Sequence, residues 1–135
     1  MRFVLIDHIL ERTPERIVAL KQVSLAEEYL ADHFPSFPIL PGVLMLEAMV
    51  QAARAMIEAP THLVLGEVKA LKYGNMVRPG EALEVEVTLQ KRNEDGSYAC
   101  KGSGRVRRAN RNSAADAGDA DVAVSGRFTL RSVRA

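Results

Sequence analysis

Two hydrophobic rhythms divide this chain. Leu83, Val85, Val87 and Leu89 alternate with Glu84, Glu86, Thr88 and Gln90. That period of two predicts a half-exposed antiparallel strand. Tyr98, Cys100 and Val106 alternate in the same way with Lys101, Ser103, Arg105 and Arg107, and Val122, Val124, Phe128 and Leu130 with Ser125, Arg127, Thr129 and Arg131. Residues 3–10 and 16–23 are rich in β-branched and aliphatic side chains and predict two more strands, with Glu11-Arg12-Thr13-Pro14 as the turn between them. A further strand is expected over residues 62–73, and residues 75–80 supply the turn that follows it.

The second rhythm is helical. Pro41-Gly42 leads into Val43-Leu44-Met45-Leu46-Glu47-Ala48-Met49-Val50-Gln51-Ala52-Ala53-Arg54-Ala55-Met56-Ile57, a run dominated by good helix formers, and Ala59-Pro60 stops it. Apolar residues point in nearly every direction around this helix, which predicts that protein encloses it. Residues 26–30 suit one short helical turn. Residues 108–121 carry no apolar period and predict a flexible hairpin loop, an insertion between the last two strands. One long helix and several antiparallel strands give an α+β class, most economically a sheet curled about a central helix.

Composition narrows the function without choosing it. The 135 residues suit one domain spanning 1–135; the chain is 47% hydrophobic and 26% charged, with a formal net charge of +1. No global charge draws it to nucleic acid or a membrane surface. No run approaches the roughly 20 apolar residues of a membrane span. The single cysteine, Cys100, fits a reducing compartment, and a cytoplasmic location is expected.

Candidate chemistry gathers around His33-Phe34-Pro35-Ser36-Phe37-Pro38-Ile39-Leu40-Pro41-Gly42 and the helix that follows. An unperturbed histidine changes charge near neutrality, and Pro35, Pro38 and Pro41 stiffen the backbone around His33. Glu47 lies in a strongly apolar helix, where an enclosed carboxylate needs a partner or a function. Its spacing to Gln51, Arg54 and Glu58 equally describes a solvent-facing stripe, and both arrangements satisfy the sequence. Gly42 falls at the helix N-terminus, where free N–H groups stabilise an oxyanion and a missing side chain lets substrate approach; a plain turn glycine reads the same way. Base, acid and oxyanion site together suit proton abstraction beside a carbonyl with loss or gain of a group at the β carbon. No His, Cys and Asp cluster has metal-ligand spacing.

The run His33-Phe34-Pro35-x-x-Pro38-x-x-Pro41-Gly42-Val43-Leu44-x-x-Glu47-Ala48-Met49-x-Gln51 closely resembles the signature of the β-hydroxyacyl–acyl-carrier-protein dehydratases of FabZ type, including the spacing from histidine to glutamate. Arg16-Ile17-Val18-Ala19-Leu20-Lys21 and Arg78-Pro79-Gly80-Glu81-Ala82-Leu83 are similar to further parts of that family. The resemblance implies a hotdog fold, an antiparallel sheet wrapped around one long helix, and a homodimer whose site lies between subunits, with assembly into a trimer of dimers left open. It implies that His33 removes the α proton and that Glu47, from the partner chain, assists loss of the β-hydroxyl as water. It further implies that Gly42 holds the thioester oxygen and that Phe34, Phe37 and Gln51 line the substrate site. No cofactor or metal is implied. The substrate would ride on phosphopantetheine, on acyl carrier protein or coenzyme A, and Lys69, Lys72 and Arg78 are candidates for meeting an acidic carrier. Asp32 and Phe37 stand where the family has other residues, which leaves a non-catalytic acyl-binding subunit as an alternative; a hotdog thioesterase, which also uses a carboxylate on the helix, is another.

Overall fold

The computed structural model describes residues 5–23, 40–59, 62–107 and 121–133. The expected helical turn at 26–30 and most of the proline loop lie outside them. Among the described residues there are six strands: β1 His8–Arg12, β2 Arg16–Gln22, β3 Leu63–Tyr73, β4 Ala82–Arg92, β5 Tyr98–Arg107 and β6 Val122–Ser132. One helix among the described residues, α1 Gly42–Met56, lies between β2 and β3 in the chain. The strands form a single sheet in the order β1-β2-β4-β5-β6-β3, and every neighbouring pair is antiparallel. β2 through β6 all touch α1, so the sheet wraps the helix as expected.

Register explains why the alternating pattern packs. Ile17 and Ala19 face Val87 and Val85 across β2 and β4, while Leu83, Val85, Val87 and Leu89 face Val106, Gly104, Gly102 and Cys100 across β4 and β5. Cys100 in turn faces Phe128 on β6. These rows put one apolar face against the helix, and Val85, Val87, Cys100 and Leu130 are fully buried. Gly102 marks a close approach of helix and sheet. A Cβ built there would lie 2.8 Å from Met49 Sδ and 3.2 Å from Phe128 Cε1, so the missing side chain is what lets α1 settle onto β5.

The helix starts on Pro41, whose carbonyl accepts from the N–H groups of Leu44 and Met45, and closes with Ile57 N–H on the Ala53 carbonyl. Its sheet-facing stripe is Met45, Ala48, Met49, Val50, Ala52, Ala53 and Met56. The expectation of a helix enclosed on every side is corrected. Val43 is 68% exposed, and Leu44, Leu46 and Ala55 are only half-buried. One sheet covers one side of a helix, and the broad apolar run extends past what it covers.

Two other expectations change at their edges. Within the described residues β1 does not extend over 5–7; it begins at His8 and includes Glu11 and Arg12, which read as turn residues. It is an edge strand with both faces exposed, so no apolar alternation is needed to hold it. The true turn is centred on Thr13, whose Oγ1 accepts from Arg16 N–H at 3.0 Å and from Glu15 N–H at 3.3 Å. Of the loop expected over 108–121, residues 108–120 lie outside the described part, but Asp121 is buried. The chain there is pinned, because the Gly74 and Asn75 N–H groups donate to the Ala123 and Val122 carbonyls.

β3 pairs only with β6 among the described residues, and the pairing is irregular between Lys69 and Lys72. Ala70 in that interval has φ +53°, a conformation that costs an L-residue with a Cβ.

Candidate active site

The N-terminus of α1 meets the C-terminal end of β3. A Cβ on Gly42 would stand 2.9 Å from Tyr73 Cε1 and 3.0 Å from Tyr73 Cζ, so the phenol ring lies directly against the start of the helix. Gly42 is the first helical residue, and its N–H has no intrahelical acceptor by the geometry of a helix start. Tyr73 is about half exposed, yet partial burial still pushes its hydroxyl above the usual tyrosine range. The sequence marked Gly42 but not Tyr73; nothing local announces that the end of β3 folds back onto this glycine.

Glu47 lies one turn further along α1. Its side chain is 38% exposed, so the single chain does not enclose it. Gln51 and Arg54 lie on the same part-exposed face of α1. Gln51 Nε2 donates to Glu47 Oε1 at 3.4 Å, and Arg54 Nη1 stands 3.6 Å from the same oxygen. Both partners are fixed at their other ends. The Leu5 N–H donates to Gln51 Oε1 at 2.8 Å, and Arg54 Nε donates to the Leu63 carbonyl at 2.8 Å. Glu58 leaves the group and pairs with Arg12 instead. The i, i+4, i+7 spacing was the legible signal for Gln51 and Arg54; their anchors on Leu5 and Leu63 were not legible.

The remaining candidates separate. His33, Phe34 and Phe37 lie outside the described residues. Lys69 is exposed and pairs with Glu67 at 3.6 Å, while Lys72 faces a cleft of about 470 Å³ whose lining includes Glu86, Thr88, Lys101, Ser125 and Arg127. Arg78 sits in the turn before β4, where its backbone N–H donates to Glu81 Oε1 at 2.8 Å. The fold therefore puts Lys69 and Lys72 on one strand and Arg78 in a separate turn. Met45, Met49 and Met56 are core residues, and Cys100 is buried with its thiol pushed up to about 11 by desolvation.

A family model described as the ApeI-like dehydratases matches residues 10–111. The chain belongs to that family. As an ApeI-like dehydratase it is similar to the 3-hydroxyacyl-acyl-carrier-protein dehydratase FabZ of Ligilactobacillus salivarius, 41% identical over 94 residues that cover 65% of this chain and 67% of that protein. The corresponding FabZ of Oenococcus oeni is 42% identical over 94 residues, 65% and 68% of the two chains. Among solved structures, the dehydratase heterocomplex ApeI:P from Xenorhabdus doucetiae superposes with a TM-score of 0.66 at 14% identity, covering 96% of this chain and 98% of that one. The virulence protein Cj0977 from Campylobacter jejuni gives a TM-score of 0.68 at 14% identity, with 97% and 86% covered. These neighbours bear on architecture alone, and the ApeI-like chain has the hotdog fold that its sequence predicted.

Proposed function

We propose that this chain dehydrates β-hydroxyacyl thioesters, carried on acyl carrier protein, to trans-2-enoyl thioesters in fatty acid biosynthesis. The observation that carries this reading is the position of Glu47. It is the one carboxylate on the α1 stripe beside Gly42, it is half exposed and so reachable, and it stands at the family spacing from His33 in a chain 41% identical to a FabZ dehydratase.

The chemistry follows from the residues. The thioester carbonyl acidifies the α carbon, so no cofactor is required for its deprotonation. The His33 imidazole accepts the α proton. The electron pair forms the α–β double bond as the β C–O bond breaks, and Glu47 delivers a proton so that hydroxide departs as water. The Gly42 N–H, at the positive end of α1, stabilises the charge that develops on the thioester oxygen. Phe34 and Phe37 border the acyl chain, and Gln51 holds Glu47 in place.

The same reading makes the molecule one domain over 1–135 in the cytoplasm, assembled as a homodimer. The half-exposed apolar side of α1, with Val43, Leu44 and Leu46, supports a partner against the helix. His33 of one subunit would then serve Glu47 of the other. Lys69 and Lys72 remain the proposed contacts for an acidic carrier, with Arg78 further along the chain.

Turnover of a short β-hydroxyacyl–acyl-carrier-protein, followed as enoyl formation, tests this with His33→Ala as control. Activity lost in the control supports the assignment. Release of free thiol from acyl thioesters without enoyl formation would replace it with a thioesterase. Turnover unchanged in His33→Ala would remove the proposed base.

A further inference from the structure

Two side chains of α1 meet Glu47. The Gln51 amide and the Arg54 guanidinium both fall on Oε1. Arg54 is itself held on a second element, because its Nε donates to the carbonyl of Leu63, the first residue of β3, at 2.8 Å. A guanidinium carries several donors in one rigid plane, so a single Arg54 conformation serves the strand carbonyl and the carboxylate together. Arg54 is 31% exposed along its side chain, so this arrangement is partly shielded rather than a freely solvated surface pair.

We infer that Arg54 is a positioning residue for Glu47. It fixes the carboxylate through Oε1 from an anchor on the first residue of β3. The inference rests on the dehydratase reading above and adds to it the residue that aims the acid. The expected cost of losing the clamp is a misplaced carboxylate rather than a missing one. Small displacements of a reacting group lower turnover steeply, and a loss on the order of 10- to 100-fold in kcat is expected. Substrate binding does not depend on Oε1, so KM stays near its native value.

The test is a double-mutant cycle on turnover with the full-length protein, using Arg54→Ala, Glu47→Gln and the pair. Arg54→Ala should lower kcat with little change in KM, and methylguanidinium added to that variant should restore part of the rate. In the Glu47→Gln background, removing Arg54 should cost little more, because the residue acts only through Glu47. An Arg54→Ala loss of equal size in both backgrounds would mean that Arg54 only supports the fold, and would overturn the inference. So would an unchanged kcat. If Arg54→Ala fails to fold, Arg54→Lys runs the same cycle: its single ammonium cannot satisfy Leu63 and Glu47 together, so a reduced kcat confined to the Glu47 background supports the role and a rate equal to native overturns it. Native protein that forms no enoyl product would overturn the dehydratase reading and this role with it. Native turnover that ignores Arg54 would overturn this role alone.

Discussion

Met49 Sδ occupies the space that a side chain on residue 102 would need: a Cβ built on Gly102 would lie 2.8 Å away. Met49 is fully buried and Phe128 closes the other side at 3.2 Å, so neither neighbour has open space to move into. Gly102→Ala should therefore destabilise the protein by about 1–3 kcal/mol through overpacking. Denaturant unfolding measures this. Met49→Ala should cost less in the Gly102→Ala background than in the native protein, because the cavity it opens receives the new methyl. Additive losses would show that the helix shifts as a whole instead.

Ala70 offers the opposite case. It is exposed and sits at φ +53° in the irregular stretch of β3. Ala70→Gly removes the strain of the Cβ but gives the unfolded chain more freedom. In the left-handed region the first effect is the larger, about 1–2 kcal/mol against less than about 1 kcal/mol. A small rise in thermal midpoint is expected, and a fall would show that the strain is absent in solution.

Glu47→Gln should abolish most turnover while leaving the fold intact. General acid catalysis contributes on the order of 100- to 10,000-fold, and an amide cannot supply the proton. The side chain is 38% exposed and its partners are polar, so the stability change should stay within about 1 kcal/mol. Enoyl formation and thermal unfolding on the same preparation separate the two effects. A parallel loss of fold would make Glu47 a structural residue first.

Cys100 gives a pH dependence whose sign can be worked out. Burial raises its thiol from an ordinary value of 9.0 to about 11, because the thiolate is disfavoured inside the core. In the unfolded chain the thiol loses its proton first, so the native state binds more protons between those values. This contribution to stability is whole below about pH 9 and is lost as pH rises towards about 11. Cys100→Ala should flatten that alkaline limb of the stability profile. The same burial makes the native thiol slow to react with an alkylating reagent, and unfolding should release it.

The elements with one wet and one dry face were legible in the sequence. β4, β5 and β6 follow their alternating patterns, and α1 begins within a residue of its expected start. β1 was harder, because an edge strand exposed on both faces has no period to read. Its Glu11 and Arg12 looked like turn residues and are not. Strand order was not legible at all: nothing local sends β3 past β4 and β5 to lie beside β6. At the site, spacing along one helix placed Glu47, Gln51 and Arg54 together. What it missed were contacts between distant segments, Tyr73 on Gly42 and Leu5 on Gln51. Whether the chain itself encloses α1 was not legible, because apolar composition shows that a helix has surface to cover and does not say whether its own chain covers it.

The place of β3 at the far edge of the sheet also governs the order in which the molecule can be made. Its hydrogen-bonding partner is β6, with Leu63 opposite Ser132 and Tyr73 opposite Val124. During synthesis β3 leaves the ribosome with its mate still unwritten, and it must wait through β4 and β5 before that mate arrives. β4, β5 and β6 pair with their sequence neighbours and can assemble as they emerge, whereas β3 closes only over a long loop. Loss of the final strand would strip two elements from the sheet rather than one, leaving β3 as an open template for another chain.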